Sequence, residues 1–134
     1  MGLKRRSREL ALQMLFQMDM GTVKLVDLEE NFLPQASAPE AAKVMALKIT
    51  RETWDKLSDI DGHLRGLAAN WDLTRMAAVD RNILRLAAYE ILYDSEIPKS
   101  VAINEAIEIV KRFSTDDSSK FVNGILDKLE KKSQ

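Results

Sequence analysis

The residues best suited to binding chemistry lie at the start of the chain. Four basic side chains occur in the first eight residues with no acid among them: Lys4, Arg5, Arg6 and Arg8. The net charge of the chain is −1, so the remainder, with 16 basic and 21 acidic residues, is acidic. A basic end on an acidic body predicts a polyanion site at that end. On a helix the four side chains point in several directions, which favours contacts along a phosphate backbone over one salt-bridged face.

The same basic cluster (Lys4, Arg5, Arg6 and Arg8) is also compatible with a solvated N-terminal tail. Positive charge near the N-terminus of a helix opposes the helix macrodipole, and a bound anion would offset that cost. Composition alone leaves the tail and the anion site as alternatives.

Three phenylalanines add a second kind of chemistry: Phe16, Phe113 and Phe121. Proteins that bind single-stranded RNA combine cations for the phosphates with flat groups on which the bases stack. However, Phe113 and Phe121 also fit the apolar face of their predicted helices. Phe16 forms an apolar edge with Leu12, which either meets another helix or serves as a platform for a partner or RNA. The pattern leaves both interpretations open.

No set of residues in the sequence is typical of catalysis. There is no cysteine, no Gly-rich phosphate loop, and a single histidine, His63. Asp116 and Asp117 are adjacent at a predicted helix start, where capping and the helix dipole explain them. No apolar run approaches the roughly 18 residues of a membrane span, and no signal peptide is recognisable. We therefore expect a protein that is not an enzyme, has no metal or cofactor, and resides in the reducing cytoplasm.

The elements that must position these residues are predicted to be helices. Glycine and proline are sparse and few runs alternate polar with apolar residues, which predicts one all-α domain over residues 1–134. Val79–Tyr93 is apolar almost all the way round a helix, so the other helices should pack around it. The first helix is predicted over Leu3–Met20, with Gly21 ending it as a residue that tolerates positive φ. A short helix over Leu25–Leu33 and a loop over Gln35–Pro39 follow.

The remaining chain continues the helical pattern. A long helical region begins at Glu40, with a bend predicted at Asp61-Gly62. Another helix begins near Pro98 and ends at Phe113. In the last predicted helix, the interior Gly124 costs about 1 kcal/mol against alanine, so we expect a close backbone approach there.

Two segments resemble the NusB family of bacterial transcription antitermination factors. One is KRRSRELALQMLFQMD (Lys4–Asp19), and the other is Val79–Leu129, which contains VAINEAIE and KFVNGILD. The resemblance implies an all-α, NusB-like bundle of about seven helices arranged as two packed three-helix groups. It also implies pairing with the ribosomal protein NusE and binding of single-stranded boxA RNA. The complex would support read-through of ribosomal RNA operons with the elongation complex and other Nus factors.

The resemblance also assigns roles to individual residues of this chain. The positions matching the family's RNA-binding residues are Lys4, Arg5, Arg6, Arg8, Phe113, Asp117, Lys120 and Phe121. Phe16 and Asp80 match positions that face the NusE partner or its edge with the RNA. Phe16 stands where the family often has tyrosine, so a hydroxyl contact there is absent. Some members form homodimers that cover the RNA site and others are monomers, and the sequence leaves both open.

Two alternatives remain at this stage. The RNA-binding domain of ribosomal RNA cytosine methyltransferases has the same fold, but that enzyme needs a cofactor-binding domain after the helices, whereas this sequence stops at Gln134. A helical protein-binding adaptor with an incidental basic tail would have no affinity for RNA.

Overall fold

The computed structural model describes residues 2–67 and 72–130, and these ranges contain α-helices and short 3-10 turns but no strand. The seven helices in these ranges are α1 (Leu3–Met20), α2 (Leu25–Asn31), α3 (Glu40–Asp55), α4 (Leu57–Leu67), α5 (Ala78–Tyr93), α6 (Lys99–Phe113) and α7 (Asp116–Lys128). The predicted all-α class with about seven helices is confirmed. Within the described ranges, every helix is too short or too polar to cross a membrane.

Helix α5 lies at the centre of the molecule, as its apolar sequence predicts. Every residue from Asp80 to Leu92 is buried. The side chains of Ile83, Leu84 and Ile91 are fully enclosed. Because α5 is surrounded, the charged residues that it carries must find partners on neighbouring helices.

The helices form two groups that share α1. Helices α1, α2 and α3 enclose a core that includes Leu10, Met14 and Leu28. The second group is α5, α6 and α7, with α4 packed alongside it. On its other side α1 contributes Leu12 and Leu15 to the core of this second group. The arrangement as two packed groups is confirmed, and α1 forms their common wall.

Three local predictions need correction. The long helical region is interrupted at Lys56, not at Asp61-Gly62. Asp61 instead lies buried inside α4, where its carboxylate accepts two hydrogen bonds from Arg85. Gly21 does end α1, but its φ of −142° is extended, so a left-handed conformation is not the reason. At Gly124 an added Cβ would meet no neighbouring atom within 4 Å, so the expected close approach is wrong.

Candidate nucleic-acid interface

The basic cluster occupies the first turns of α1, where its arginines point towards different neighbours. Lys4 is exposed. Arg5 donates two hydrogen bonds to Glu105 of α6, with N···O distances of 3.1 and 2.6 Å. Arg6 donates to Glu9 at 3.3 Å and to the carbonyl oxygen of Ser37 at 3.0 Å. Outside α1, Arg5 and Arg6 are therefore held against two different parts of the fold, which are α6 and the segment before α3.

Arg8 differs from the rest of the cluster because it is buried. Its Nε donates to both carboxylate oxygens of Glu90, at 3.1 and 3.0 Å, and its Nη1 donates to Glu105 at 3.3 Å. Burial raises the pKa of Glu90, and the charge of Arg8 opposes that shift. A phosphate could bind Arg8 only if the guanidinium left Glu90, which would leave that buried carboxyl without its cationic partner.

Glu105 connects the buried arginine to the surface. It accepts hydrogen bonds from both Arg5 and Arg8. The hydrogen bond from Arg5, with the charges of Arg5 and Arg8, lowers the pKa of Glu105 despite its partial burial. All three arginines form ion pairs, but with different partners in different directions, so they do not make up one salt-bridged face. Their contact with RNA stays a prediction.

The second set of predicted residues lies around the start of α7. A cavity of about 240 Å³ is lined by Met76, Ala77, Asp80, Asp117, Ser118 and Phe121. It brings together Asp80, Asp117 and Phe121, three positions singled out from the sequence. Asp80 is buried and accepts hydrogen bonds from the hydroxyls of Ser118 at 2.9 Å and Ser114 at 3.3 Å. Lys120 is exposed on α7 but is not part of the lining.

The three phenylalanines have different environments. Phe121 is half-buried and packs against the core of the second group. Phe16 and Phe113 remain 37% and 36% exposed. Leu12, which shares an edge of α1 with Phe16, is buried by contrast. Phe16 and Phe113 therefore offer more ring surface to a ligand than Phe121 does.

Helix α6 spans the distance between the two sets of residues. The ion pairs Arg8–Glu90 and Asp19–Arg81 show that α1 and α5 are antiparallel. The basic cluster is therefore near the C-terminus of α5, whereas Asp80 is at its N-terminus, about 15 Å away along the axis. Along α6, Glu105 contacts the basic cluster, and Ser114, directly after the helix, contacts Asp80.

One exposed cation in this region is not among the residues predicted from the sequence. Arg112 precedes Phe113 and donates from Nη1 to Glu9 at 2.8 Å. Its guanidinium carbon lies 5.5 Å from the centroid of the Phe113 ring. The sequence pattern places Arg112 on the outward face of α6, and the only available signal is its position next to a predicted RNA-binding phenylalanine.

Comparisons with known proteins identify the family of the chain. The model of the NusB family matches residues 5–131. The chain belongs to the NusB family. The transcription antitermination protein NusB of Geobacter sulfurreducens is 45% identical over 130 residues, covering 96% of this chain and 94% of that protein. The NusB of Desulfitobacterium hafniense strain DCB-2 is 46% identical, covering 94% of this chain and 86% of the relative. The resemblance inferred from the sequence is confirmed.

Solved structures lead to the same family. A structure of T. maritima NusB has 41% sequence identity and a TM-score of 0.82, with 94% of this chain and 89% of that chain covered. A structure of antitermination factors NusB and NusE in complex with double-stranded RNA aligns with a TM-score of 0.75, covering 95% of each chain. At 22% identity, the second likeness supports the NusB-type fold alone.

Proposed function

We propose that this NusB-family chain is a transcription antitermination factor that binds boxA RNA together with the ribosomal protein NusE. The observation that carries the proposal is the family match over residues 5–131, since relatives of similar length bear the name transcription antitermination protein. In this role the chain acts in the cytoplasm, within the elongation complex with other Nus factors, and supports read-through of ribosomal RNA operons. It works as a single RNA-binding domain without catalysis or a cofactor.

In this proposal the residues of the basic cluster have two different roles. Lys4, Arg5 and Arg6 lie at least partly exposed at the start of α1 and contact phosphates. Arg8 acts indirectly, because its bonds to Glu90 and Glu105 fix α1 against α5 and α6.

At the start of α7, four predicted residues would continue the RNA surface: Phe113, Asp117, Lys120 and Phe121. The exposed Lys120 contacts a phosphate, and the exposed ring of Phe113 forms part of the surface on which bases stack. Phe16 and Asp80 face the NusE partner in this proposal. Because Asp80 is buried and hydrogen-bonded to Ser118, it shapes that edge and Phe16 supplies the exposed apolar contact.

The proposal is tested by titrating fluorescent boxA RNA, and a scrambled control of equal length, with and without NusE. We expect tighter and sequence-selective binding when NusE is present. If Lys4, Arg5 and Arg6 each neutralise one phosphate, the slope of log affinity against log salt should contain a contribution of about −2 from them. Equal, weak binding of both RNAs, unaffected by NusE, would favour the helical adaptor.

The variant that tests the basic cluster is Arg5→Ala combined with Arg6→Ala. We expect it to weaken boxA binding and to make the salt slope less negative by about 1.4, the contribution of two phosphates. The matched control is Arg51→Ala with Arg65→Ala, which removes two exposed charges from α3 and α4. Equal losses of affinity in both double variants would argue against a localised site. Circular dichroism and thermal melting show whether each variant folds.

A further inference from the structure

The C-terminal end of α6 carries an exposed guanidinium packed on an exposed aromatic ring. The side chain of Arg112 is 54% exposed, and Phe113 is 36% exposed. The guanidinium lies over the ring, 5.5 Å from its centroid. A planar cation backed by an aromatic ring presents a flat outer face, and bases of single-stranded RNA stack on both kinds of surface.

Glu9 fixes the position of this pair. The carboxylate is 1% exposed, so it needs cationic partners to be stable where it is. Its Oε2 accepts the 2.8 Å hydrogen bond from Arg112, and its Oε1 accepts the 3.3 Å hydrogen bond from Arg6. Arg112 is thereby held before any ligand arrives. A guanidinium has five N–H donors, so one bond to Glu9 leaves it able to bind a phosphate as well.

The location of Arg112 joins the two sets of residues described above. Through Glu9 it lies beside Arg6, which belongs to the basic cluster on α1. On its other side, Phe113 is followed by Ser114, whose hydroxyl donates to Asp80 at the wall of the α7 cavity. A strand running from the basic cluster to the start of α7 would therefore pass over Arg112 and Phe113.

We propose that Arg112 and Phe113 form a binding site for one unpaired nucleotide of the RNA strand. The base stacks on the outer face of the guanidinium, with the Phe113 ring behind it, and the phosphate accepts hydrogen bonds from N–H groups not used by Glu9. The site takes any base, because stacking requires only a π-face. This inference rests on the proposed RNA-binding function and adds Arg112, a residue that the family resemblance does not assign.

The experiment compares Arg112→Gln with Lys111→Gln in the boxA titration with NusE, repeated over a range of salt concentrations. Both substitutions remove one positive charge from neighbouring exposed positions on α6, and Lys111 is 51% exposed beside Glu108. We expect Arg112→Gln to weaken binding about tenfold, which corresponds to about 1.4 kcal/mol. Its salt slope should become less negative by about 0.7, whereas Lys111→Gln should change neither quantity measurably.

Two further variants separate stacking from charge and from folding. Arg112→Lys keeps the charge but loses the plane, so it should restore the salt slope without restoring the affinity. Phe113→Leu keeps an apolar side chain and should weaken binding at an unchanged slope. Melting temperatures show whether Glu9, still paired with Arg6, tolerates each change.

The outcomes distinguish the two levels of the proposal. If the wild-type chain binds boxA RNA selectively with NusE, and Arg112→Gln is no weaker than Lys111→Gln, the nucleotide site is wrong and the proposed function stands. Full recovery of affinity by Arg112→Lys would likewise overturn the stacking site. If the wild-type chain with NusE binds neither RNA, both proposals fail, whereas equal binding of boxA and scrambled RNA overturns the proposed function alone.

Discussion

The two ends of α5 are joined to α1 by ion pairs of opposite polarity. At the C-terminal end, α1 supplies the arginine and α5 the acid, in the pair Arg8–Glu90. At the N-terminal end, α1 supplies the acid Asp19 and α5 supplies Arg81 and Arg85. Both ends fix the same pair of antiparallel helices. They differ in where their hydrogen-bond networks lead.

The hydrogen-bond network at Asp19, the inward network, leads into the interior of the fold. Arg85 continues from Asp19 to Asp61 of α4, donating two hydrogen bonds of 2.8 Å. Burial alone would raise the pKa of Asp19, but hydrogen bonds from Asn82 and Arg81 hold that pKa below its ordinary value. At this end of α5 the network therefore connects three helices, α1, α4 and α5.

The hydrogen-bond network at Arg8, the outward network, leads to the surface. From Glu90 it passes through Arg8 to Glu105 and then to the half-exposed Arg5. The same kind of ion pair therefore fixes the fold at one end and also positions a surface residue at the other. The number of arginines in a sequence cluster is thus no measure of the number of phosphates that it binds.

The largest effect is expected from breaking the inward network with Arg85→Met. The buried carboxylate of Asp61 and the partly buried carboxylate of Asp19 would each lose a cationic partner. The cost should be about 3–5 kcal/mol of unfolding free energy. Urea denaturation measures it, with Arg65→Met on the exposed face of α4 as the control, expected within about 0.5 kcal/mol of wild type. RNA affinity of the folded protein should not change. A loss for Arg85→Met no larger than the control's would show that the network does not stabilise the fold.

A smaller effect is expected at the outward network with Arg8→Met. Burial already raises the pKa of Glu90, so this carboxyl can take up a proton when its partner is lost, and the cost should be about 1–3 kcal/mol. Adding Glu90→Gln should recover part of the loss, because the amide removes the uncompensated charge. BoxA affinity should stay within about threefold, a difference of about 0.7 kcal/mol. Unchanged stability with a large loss of RNA affinity would instead make Arg8 a phosphate contact.

The comparison also shows what the sequence could predict. The periodicity of apolar residues predicts α1 over its observed range and α5 to within one residue, because both helices repeat apolar side chains over several turns. The acidic partners of Arg8 could not be predicted, because they are distant in the sequence. Glu90 is 82 residues from Arg8, and Glu105 is 97 residues from it. Such contacts depend on how the helices pack, and one sequence does not reveal that packing.

The candidate interface was predictable to a similar degree. Family motifs led to residues on α1, α6 and α7, but not to their exposure. Phe113 and Phe121 both fit an apolar helix face, yet Phe113 is the last residue of α6 and stays exposed, whereas Phe121 is covered by the core of its group. Arg112 belongs to no motif, and only its contacts with Glu9 and Phe113 identify it as a candidate binding residue.

The smallest effect concerns a position outside both networks. Gly124 lies exposed within α7, and a Cβ there would meet no atom within 4 Å. Gly124→Ala should therefore raise the unfolding free energy by about 0.5–1 kcal/mol, since alanine loses less backbone entropy on folding. Its effect should add to that of Arg85→Met, because the two sites share no hydrogen-bond or ion-pair partner among those described. Urea denaturation of the two single variants and the double variant measures this additivity. A destabilising Gly124→Ala would mean that α7 is more tightly packed around this residue than its geometry indicates. A non-additive pair would extend the inward network as far as α7.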